Sequence, residues 1–354
     1  MRQRQDAAIG GLPSQQKAYI MRAWPKMALL REGKQPAWHQ SMTRYKIIVN
    51  PAANRGGGER AIPTIKSLLS ENRLDYDLVC TERPWHAADL AEEAAAAGYD
   101  CVVAAGGDGT SNEVLNGLMR AKQAGAGTSA MGVLCVGRGN DLAYGMGIPT
   151  DLEAGCRTLA HGQRRLVDVG RVAGGLYPDG RYFGNGVGIG FDTVVGLEAA
   201  KMTHLSGFPL YLVAALKTLF LYYRAPLVTI ECDSCGDKIT QPSLMISIMN
   251  GRRMGGGFMM APQGQPDDGL FDLCIARQVS RTRVLALIPH FMRGTQATQE
   301  PIRTERARRV VITAIKGGLP AHADGETLCV DGQRLEIELL PRQIEVITAG
   351  QEAG

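Results

Sequence analysis

Between residues 45 and 165, short apolar runs alternate with amphipathic stretches of helical length. Lys46–Val49, Tyr76–Cys80, Cys101–Ala105 and Val133–Val136 read as strands, and 58–72, 86–98 and 111–124 as the helices between them. Apolar strands separated by helices predict a parallel sheet covered on both faces. Beyond about 167 the rhythm changes. Leu227–Cys232, Leu244–Asn250, Leu270–Ala276, Val310–Ile315, Leu335–Leu340 and Ile344–Thr348 follow one another as strands, and only 205–223 and 281–293 predict helices. This half reads as an antiparallel β-sandwich or barrel-like domain. The division expected is an α/β domain over 44–166 and a β-rich domain over 167–349, its last strand returning to the first domain. A cleft between two such parts is a common binding site.

Composition adds two points. The 354 residues include 44 Gly against seven Phe and three Trp, so tight turns and close backbone approaches outweigh aromatic packing. The net charge of +4 is carried by the leader: residues 1–43 hold seven basic and two acidic side chains, leaving −1 for the rest. A near-neutral body removes net charge as an argument for nucleic-acid binding. The leader lacks the apolar run of a secretory signal, and an Arg-bearing, acid-poor stretch also suits a transit peptide. A disordered extension is the plainer reading, and a start at Met42, directly before the first strand, is the preferred one. The eight cysteines are scattered and mostly lie in apolar runs, which predicts free buried thiols in a reducing cytoplasm. Cys232 and Cys235 form a single CxxC without a second pair at zinc spacing. No apolar run reaches the ~18 residues of a membrane span; the nearest, Phe208 to Tyr223, is interrupted by Lys217 and Thr218.

The candidate chemistry lies just after the strands of the first half. The first strand runs into Asn50-Pro51-Ala52-Ala53-Asn54-Arg55-Gly56-Gly57-Gly58, the third into Gly106-Gly107-Asp108-Gly109-Thr110, and the fourth into Gly137-Arg138-Gly139-Asn140-Asp141. All fall on one edge of a parallel sheet, where ligands bind. Glycine there lets backbone N–H groups approach phosphate closely. Thr110-Ser111-Asn112-Glu113 predicts a capping box with Glu113 as its return acceptor. Asp108 would repel a phosphate unless a divalent cation intervened, which suggests Mg²⁺. Asp141 joins that network or caps a helix. Asp324-Gly325 and Asp331-Gly332 are hairpin-turn signals, and for Asp324 turn and catalysis stand level. There is no GxxxxGK[ST], no HRD or DFG, and the glycines at 184, 186, 188 and 190 do not match GxGxxG.

With these residues in hand, the chain resembles the diacylglycerol kinase catalytic-domain family, the bacterial diacylglycerol kinases and their sphingosine- and ceramide-kinase relatives. The resemblance rests on Asn50-Pro51, Gly106–Thr110 with Glu113, Gly139-Asn140-Asp141, Gly186–Asp192, Asn250 with Gly255-Gly256-Gly257, Asp267–Asp272 and Asp324-Gly325-Glu326. These run in family order over 45–349. It implies an NAD-kinase- or phosphofructokinase-like first domain and Mg²⁺-dependent transfer of the ATP γ-phosphate to a lipid hydroxyl of diacylglycerol or sphingoid type. By the same resemblance Asn50, Pro51, Ala52, Ala53, Asn54, Thr81, Gly106, Gly107, Asp108, Gly109, Thr110, Ser111 and Asn112 line the ATP site, with Arg138 beside them. Asp108 and Asp141 join an Asp–water–Mg²⁺ network. Asp268 binds a structural metal with the carbonyls of Gln265 and Leu270, and Asp324 and Glu326 occupy the positions of the catalytic base.

There are two departures from the family pattern. Arg138 stands where the family has a small hydroxyl residue, either contacting ATP phosphates or blocking the site, and Pro262-Gln263-Gly264 replaces Pro-x-Ala. The acceptor implied is a membrane lipid, met peripherally from the cytoplasm through Phe208–Tyr223 and a basic cluster of Arg303, Arg306, Arg308 and Arg309, with no nucleic-acid partner. A homodimer is left open. The rivals are an NAD or sugar kinase sharing only the Gly106–Thr110 loop, and a nucleotide-binding regulator that has lost catalysis.

Overall fold

The strand Arg44–Val49 (β1) sends Tyr45, Ile47 and Val49 to one side and Ile48 to the other, and this alternation organises the first half. The computed structural model describes residues 43–202, 208–221 and 225–350. The leader up to Met42, and Tyr222 and Tyr223 of the apolar stretch, lie outside the described residues. After β1 come Ala53–Glu71 (α1), Asp75–Cys80 (β2), His86–Ala96 (α2), Cys101–Gly106 (β3), Asp108–Gln123 (α3) and Ala130–Cys135 (β4). The four strands are parallel in the order β2-β1-β3-β4. Asp141–Met146 (α4) and Leu152–His161 (α5) follow. Val102, Ala104, Met131 and Val133 pack under Ala87, Ala91, Val114 and Leu118 of α2 and α3. Val103, Ala105 and Leu134 pack on the opposite face under Ile65, Leu69 and Leu159 of α1 and α5.

The second half carries more strands than expected. They begin with Gln163–Gly174 (β5), Tyr177–Phe183 (β6) and Gly186–Gly190 (β7), followed by the helices Phe191–Ala200 (α6) and Phe208–Leu221 (α7). Leu227–Cys232 (β8), Ile239–Met249 (β9) and Phe271–Arg277 (β10) precede Arg281–Arg293 (α8). Ile302–Ala307 (β11), Arg309–Lys316 (β12), Leu319–Ala323 (β13), Glu326–Gly332 (β14) and Arg334–Thr348 (β15) complete the described chain. Two strands expected at 335–340 and 344–348 are thus one, with a register shift between Leu340 and Ile344. The strand β15 pairs antiparallel with β5 and β12, and its Val346 lies parallel to Met131 of β4. One sheet path therefore runs through both halves. Ile246, Ile248, Phe271 and Leu273 of one layer and Val228, Ile230, Val310, Ile312, Leu335 and Ile337 of the other close a sandwich core.

Two local expectations are corrected and a third is refined. The helix α6 follows β7 directly; its Thr193, Val194, Val195 and Gly196 are weak helix formers, so tertiary packing decides it. The run Gly186-Val187-Gly188-Ile189-Gly190 is a fully buried strand despite its glycines, paired on both edges with β9 and β13. Cys232 and Cys235 lie side by side with Cα atoms 5.1 Å apart, a spacing that permits a disulfide, whereas Cys80, Cys101, Cys135, Cys156, Cys274 and Cys329 are free.

The sandwich core gives a direct test of packing. A Cβ on Gly170 would lie 2.1 Å from the ring of Phe183, which is fully buried and stacks on Phe271 at a centroid distance of 5.6 Å. Gly170→Val is expected to lower stability by about 1–3 kcal/mol through overpacking. A urea midpoint unchanged from the unaltered chain would contradict it.

Candidate active site

The loops after β1, β3 and β4 come together as expected from a parallel sheet. Asn50 N–H donates to Ala105 O (3.0 Å), and its side chain links Ala52 N–H (3.1 Å) to Thr110 Oγ1 (3.1 Å). The chain then turns through three left-handed residues, Asn54, Arg55 and Gly56, before α1 becomes regular. Gly58 is required by close approach: a Cβ there would meet Asn50 O at 1.9 Å. The loop after β4 is seated on the loop after β3, with Gly137 N–H donating to Gly106 O (2.9 Å). A polar cavity of about 340 Å³ opens between them, lined by Asn50, Ala53, Asn54, Arg55, Gly107, Gly109, Thr110, Gly137 and Arg138.

The expected ATP residues do not all face this cavity. Pro51 and Ala52 belong to its loop, and Gly106 ends β3 beneath it. Thr81 lies beside β1, its N–H donating to Val49 O (2.8 Å), and is not part of the lining. Ser111 and Asn112 are buried on the inner face of α3. The capping box is corrected: α3 starts at Asp108 after Gly107, and Glu113 Oε2 accepts from Ala87 N–H (3.1 Å), serving α2 instead. The first-turn amides of α3 are left without a side-chain cap, a ready anion site beside the glycine loops.

Asp324 and Gly325 form the two-residue turn between β13 and β14, with φ of 48° and 85°. The turn reading and the site reading are therefore both realised in one residue. The Asp324 carboxylate is buried and accepts four hydrogen bonds: from Gly184 N (2.8 Å), Asn185 N (2.9 Å), Gly186 N (2.9 Å) and Asn112 Nδ2 (2.8 Å). Behind it, Asn112 Oδ1 accepts from Arg181 Nη2 (2.6 Å), and Arg181 lies against the rings of Trp85 and Tyr177. Glu326 is exposed, and its Oε1 lies 3.2 Å from where a Cβ on Gly109 would sit. It therefore faces the Gly106–Thr110 loop.

Asp108 and Asp141 meet between the loops. Burial pushes Asp108 up, helped by the charge of Asp324 and opposed by N–H groups from Leu142, Asn140 and Asp141. Burial and then the charge of Asp108 push Asp141 up to about 6. Arg253, missed in the sequence, donates from Nε to Asp141 Oδ1 (2.9 Å) and from Nη2 to Gly139 O (3.0 Å), and stacks on Tyr144. Gly256 N–H also reaches Asp141 (3.0 Å). Two neighbouring hard carboxylates, of which Asp141 is paired with Arg253, are a donor set that fits a divalent cation such as Mg²⁺.

The second expected metal position is arranged differently. Asp268 is held by Arg306 and by Leu270 N–H (3.1 Å), and Arg306 Nε reaches Asp272 (3.4 Å). Arg165 grips Asp267 at 2.6 and 2.5 Å, and Arg308 Nε donates to Gly269 O (3.0 Å). Of the three donors expected there, the Asp268 carboxylate is engaged by Arg306 and by Leu270 N–H, while Arg165 and Arg308 serve the neighbouring Asp267 and Gly269. Among the described residues, no group of three or more His, Cys, Asp or Glu is arranged to hold a metal. The basic cluster is likewise compensated, Arg303 by Glu305 and Arg309 by Glu336.

Next to the polar cavity lies an apolar one of about 500 Å³. Phe191, Leu210, Tyr211, Met245, Phe258 and Phe291 are among the residues lining it, and Asp108, Arg138, Asp141, Asn185 and Asp324 stand at its polar end. Asp192 and His322 line its wall, with Asp192 Oδ2 buried without a hydrogen-bond partner and 3.9 Å from His322 Nε2. Glycine at 188 makes room for both, since a Cβ there would meet Asp192 Oδ2 at 2.2 Å and His322 Nε2 at 2.4 Å. A signal for His322 was present: it lies two residues before Asp324 on an alternating strand.

Residues 44–172 match the diacylglycerol kinase catalytic domain, and 185–348 match the YegS C-terminal NAD kinase beta sandwich-like domain. The chain belongs to the diacylglycerol kinase catalytic-domain family. It is similar to a diacylglycerol kinase of Mycobacterium tuberculosis, 27% identical over 306 residues and covering 86% of this chain and 94% of that one. A diacylglycerol kinase of Bacillus subtilis is 29% identical over 288 residues, covering 80% of this chain and 90% of the relative. The fold matches the crystal structure of a diacylglycerol kinase from Bacillus anthracis with a TM-score of 0.66, 20% identity and coverage of 86% and 97%. The parallel half and the antiparallel sandwich are thus the family's two parts.

The Asp192–His322 pair gives a pH test. Burial raises Asp192 to about 7 and lowers His322 to about 4. Unfolded, they titrate near ~3.9 and ~6.5. The stability tied to the raised Asp192 is full below about pH 4 and lost as pH rises to 7. That tied to the depressed His322 is full above about 6.5 and lost as pH falls to 4. Between these limits the two slopes oppose each other. Asp192→Asn removes one, so the variant should lose stability on acidification from pH 6.5 to 4 more steeply than the unaltered chain. Parallel urea-unfolding profiles would contradict this.

Proposed function

We propose that this chain is an ATP-dependent lipid kinase, transferring the γ-phosphoryl group to a lipid hydroxyl of diacylglycerol or sphingoid type. The observation that carries it is the meeting of the two cavities. A polar cavity walled by glycine loops adjoins an apolar cavity of about 500 Å³, with Arg138 lining both and carboxylates at the junction. The names of the curated relatives support the same reading.

The loops Asn50–Asn54 and Gly106–Thr110 hold the nucleotide phosphates through backbone N–H groups and the start of α3. Asp108 and Asp141 hold Mg²⁺, which supplies charge neutralisation at the transferring phosphate. The acceptor chain lies among Phe191, Leu210, Met245 and Phe258. Its hydroxyl proton passes to Glu326 as the O–P bond forms and the bond to ADP breaks. Glu326 takes this role because the four hydrogen bonds received by Asp324 occupy its carboxylate oxygens, whereas Glu326 faces Gly109. Asp324 positions the hairpin that carries Glu326.

The membrane contact is peripheral. Among the described residues no helix is long and apolar enough to cross a membrane. The inner face of α7 lines the apolar cavity through Leu210, Tyr211 and Ala215, while Val213, Leu216 and Phe220 are exposed on its outer side. This outer face, rather than the compensated arginines, meets the lipid surface.

Incubation with labelled MgATP and vesicles containing diacylglycerol or a sphingoid base, beside NAD and sugars, tests the reading. Label is expected in a lipid phosphate; label in NAD or sugar, or none at all, would refute it. Glu326→Gln should lower kcat by about 10²–10⁴-fold, the contribution typical of a general base, with ATP affinity kept. Full turnover by the variant would remove Glu326 from the role.

A further inference from the structure

We propose that Arg138 is a catalytic residue, a guanidinium built into the chain that binds the phosphoryl group as it passes between donor and acceptor. This rests on the kinase reading above and adds a role for the one side chain in which the loop after β4 departs from the family pattern.

The placement is set by its neighbours. A Cβ on Gly137 would lie 2.3 Å from Gly107 Cα, and one on Gly139 would lie 2.8 Å from Asp108 Oδ2. Both flanking residues are therefore pressed against the phosphate loop, and Arg138 is the side chain that the 137–139 segment presents to the cleft. It is among the lining residues of both the polar and the apolar cavity. A group moving from a nucleotide in the first to a hydroxyl in the second crosses the position it lines.

The guanidinium is held but not used up. Its Nε donates to Asn54 Oδ1 at 2.7 Å, which fixes the fork from the side of the nucleotide loop. Among the described residues, no carboxylate pairs with Arg138, and its Nη groups have no protein acceptor. The other arginines of this region differ: Arg253 is committed to Asp141 and Gly139, and Arg181 to Asn112 and Tyr177. A permanently charged planar fork with free donors suits the oxygens of a phosphoryl group in flight. In the step, the acceptor oxygen forms its bond to phosphorus while the bond to ADP breaks. The acceptor proton goes to Glu326, and Arg138 keeps its protons while balancing charge on the equatorial oxygens. Such an arginine acts on the transition state more than on bound ATP.

The test compares the full chain with Arg138→Ser, which restores the family's hydroxyl, and Arg138→Lys, which keeps the charge but loses the fork. Lipid phosphorylation is read as kcat and KM, and ATP affinity is measured separately by calorimetry. Both variants are expected to melt with the unaltered chain, to bind ATP within about threefold, and to lose kcat, Arg138→Ser by about 10³-fold. Unchanged kcat with weakened ATP binding would reduce Arg138 to a nucleotide contact and overturn the proposal. A gain in kcat for Arg138→Ser would show it to be an obstruction and overturn it equally. No transfer by the unaltered chain to any acceptor would remove the kinase reading and this role with it.

Discussion

The carboxylate of Asp324 is a buried point at which the two halves of the molecule are fastened together, beside the sheet that runs through both. It accepts three successive backbone N–H groups from Gly184, Asn185 and Gly186, and a fourth hydrogen bond from Asn112 of the helix that begins at the phosphate loop. One buried side chain thereby joins a hairpin turn, the start of β7 and α3. Leaving a buried polar group of this kind unpaired is costly. The turn adds its own demand, because Asp324 has left-handed φ that asparagine and aspartate tolerate better than most residues.

The division of labour among the acidic residues follows from that constraint. The Asp324 oxygens are occupied by four donors, whereas the neighbouring Glu326 is exposed and faces Gly109, which is why the base is proposed there. Asp108 and Asp141 are shaped by a different balance, in which burial and mutual repulsion raise both while Arg253 and the Gly256 amide restrain Asp141. The arginines divide in the same way. Arg165, Arg306 and Arg308 close the acidic loop at 267–272, Arg253 restrains Asp141, and Arg138 alone of these stands at the junction of the two cavities.

Local pattern carried the sequence reading furthest in the first half. Ile47, Val103 and Leu134 belong to apolar runs too dense for an edge strand, and the glycines that follow them mark where the loops must approach one another. The same logic failed where tertiary neighbours decide. In the strand at 186–190, Gly188 leaves the space that Asp192 and His322 take, while Gly186 faces Met249 and Gly190 lies against Leu244 O, reasons visible only once those neighbours are in place. Glu113 has the spacing of a cap for its own helix and serves another, 26 residues away. The basic run at 303–309 reads as a charged surface until partners such as Asp268 and Glu336 are brought beside it. Asp324 is the instructive case: the turn was legible from Asp-Gly, and its role as a fastening from nothing local.

Hydrogen–deuterium exchange on the unaltered chain and on Asp324→Asn addresses the fastening itself. Asparagine keeps the turn and the size of the side chain but removes the charge and replaces one accepting oxygen by a donor. The amides of Gly184, Asn185 and Gly186 should exchange markedly faster in the variant, together with the first turns of α3 around Asn112. Unchanged protection at 184–186 alongside abolished phosphate transfer would contradict this and make Asp324 a direct participant in proton transfer.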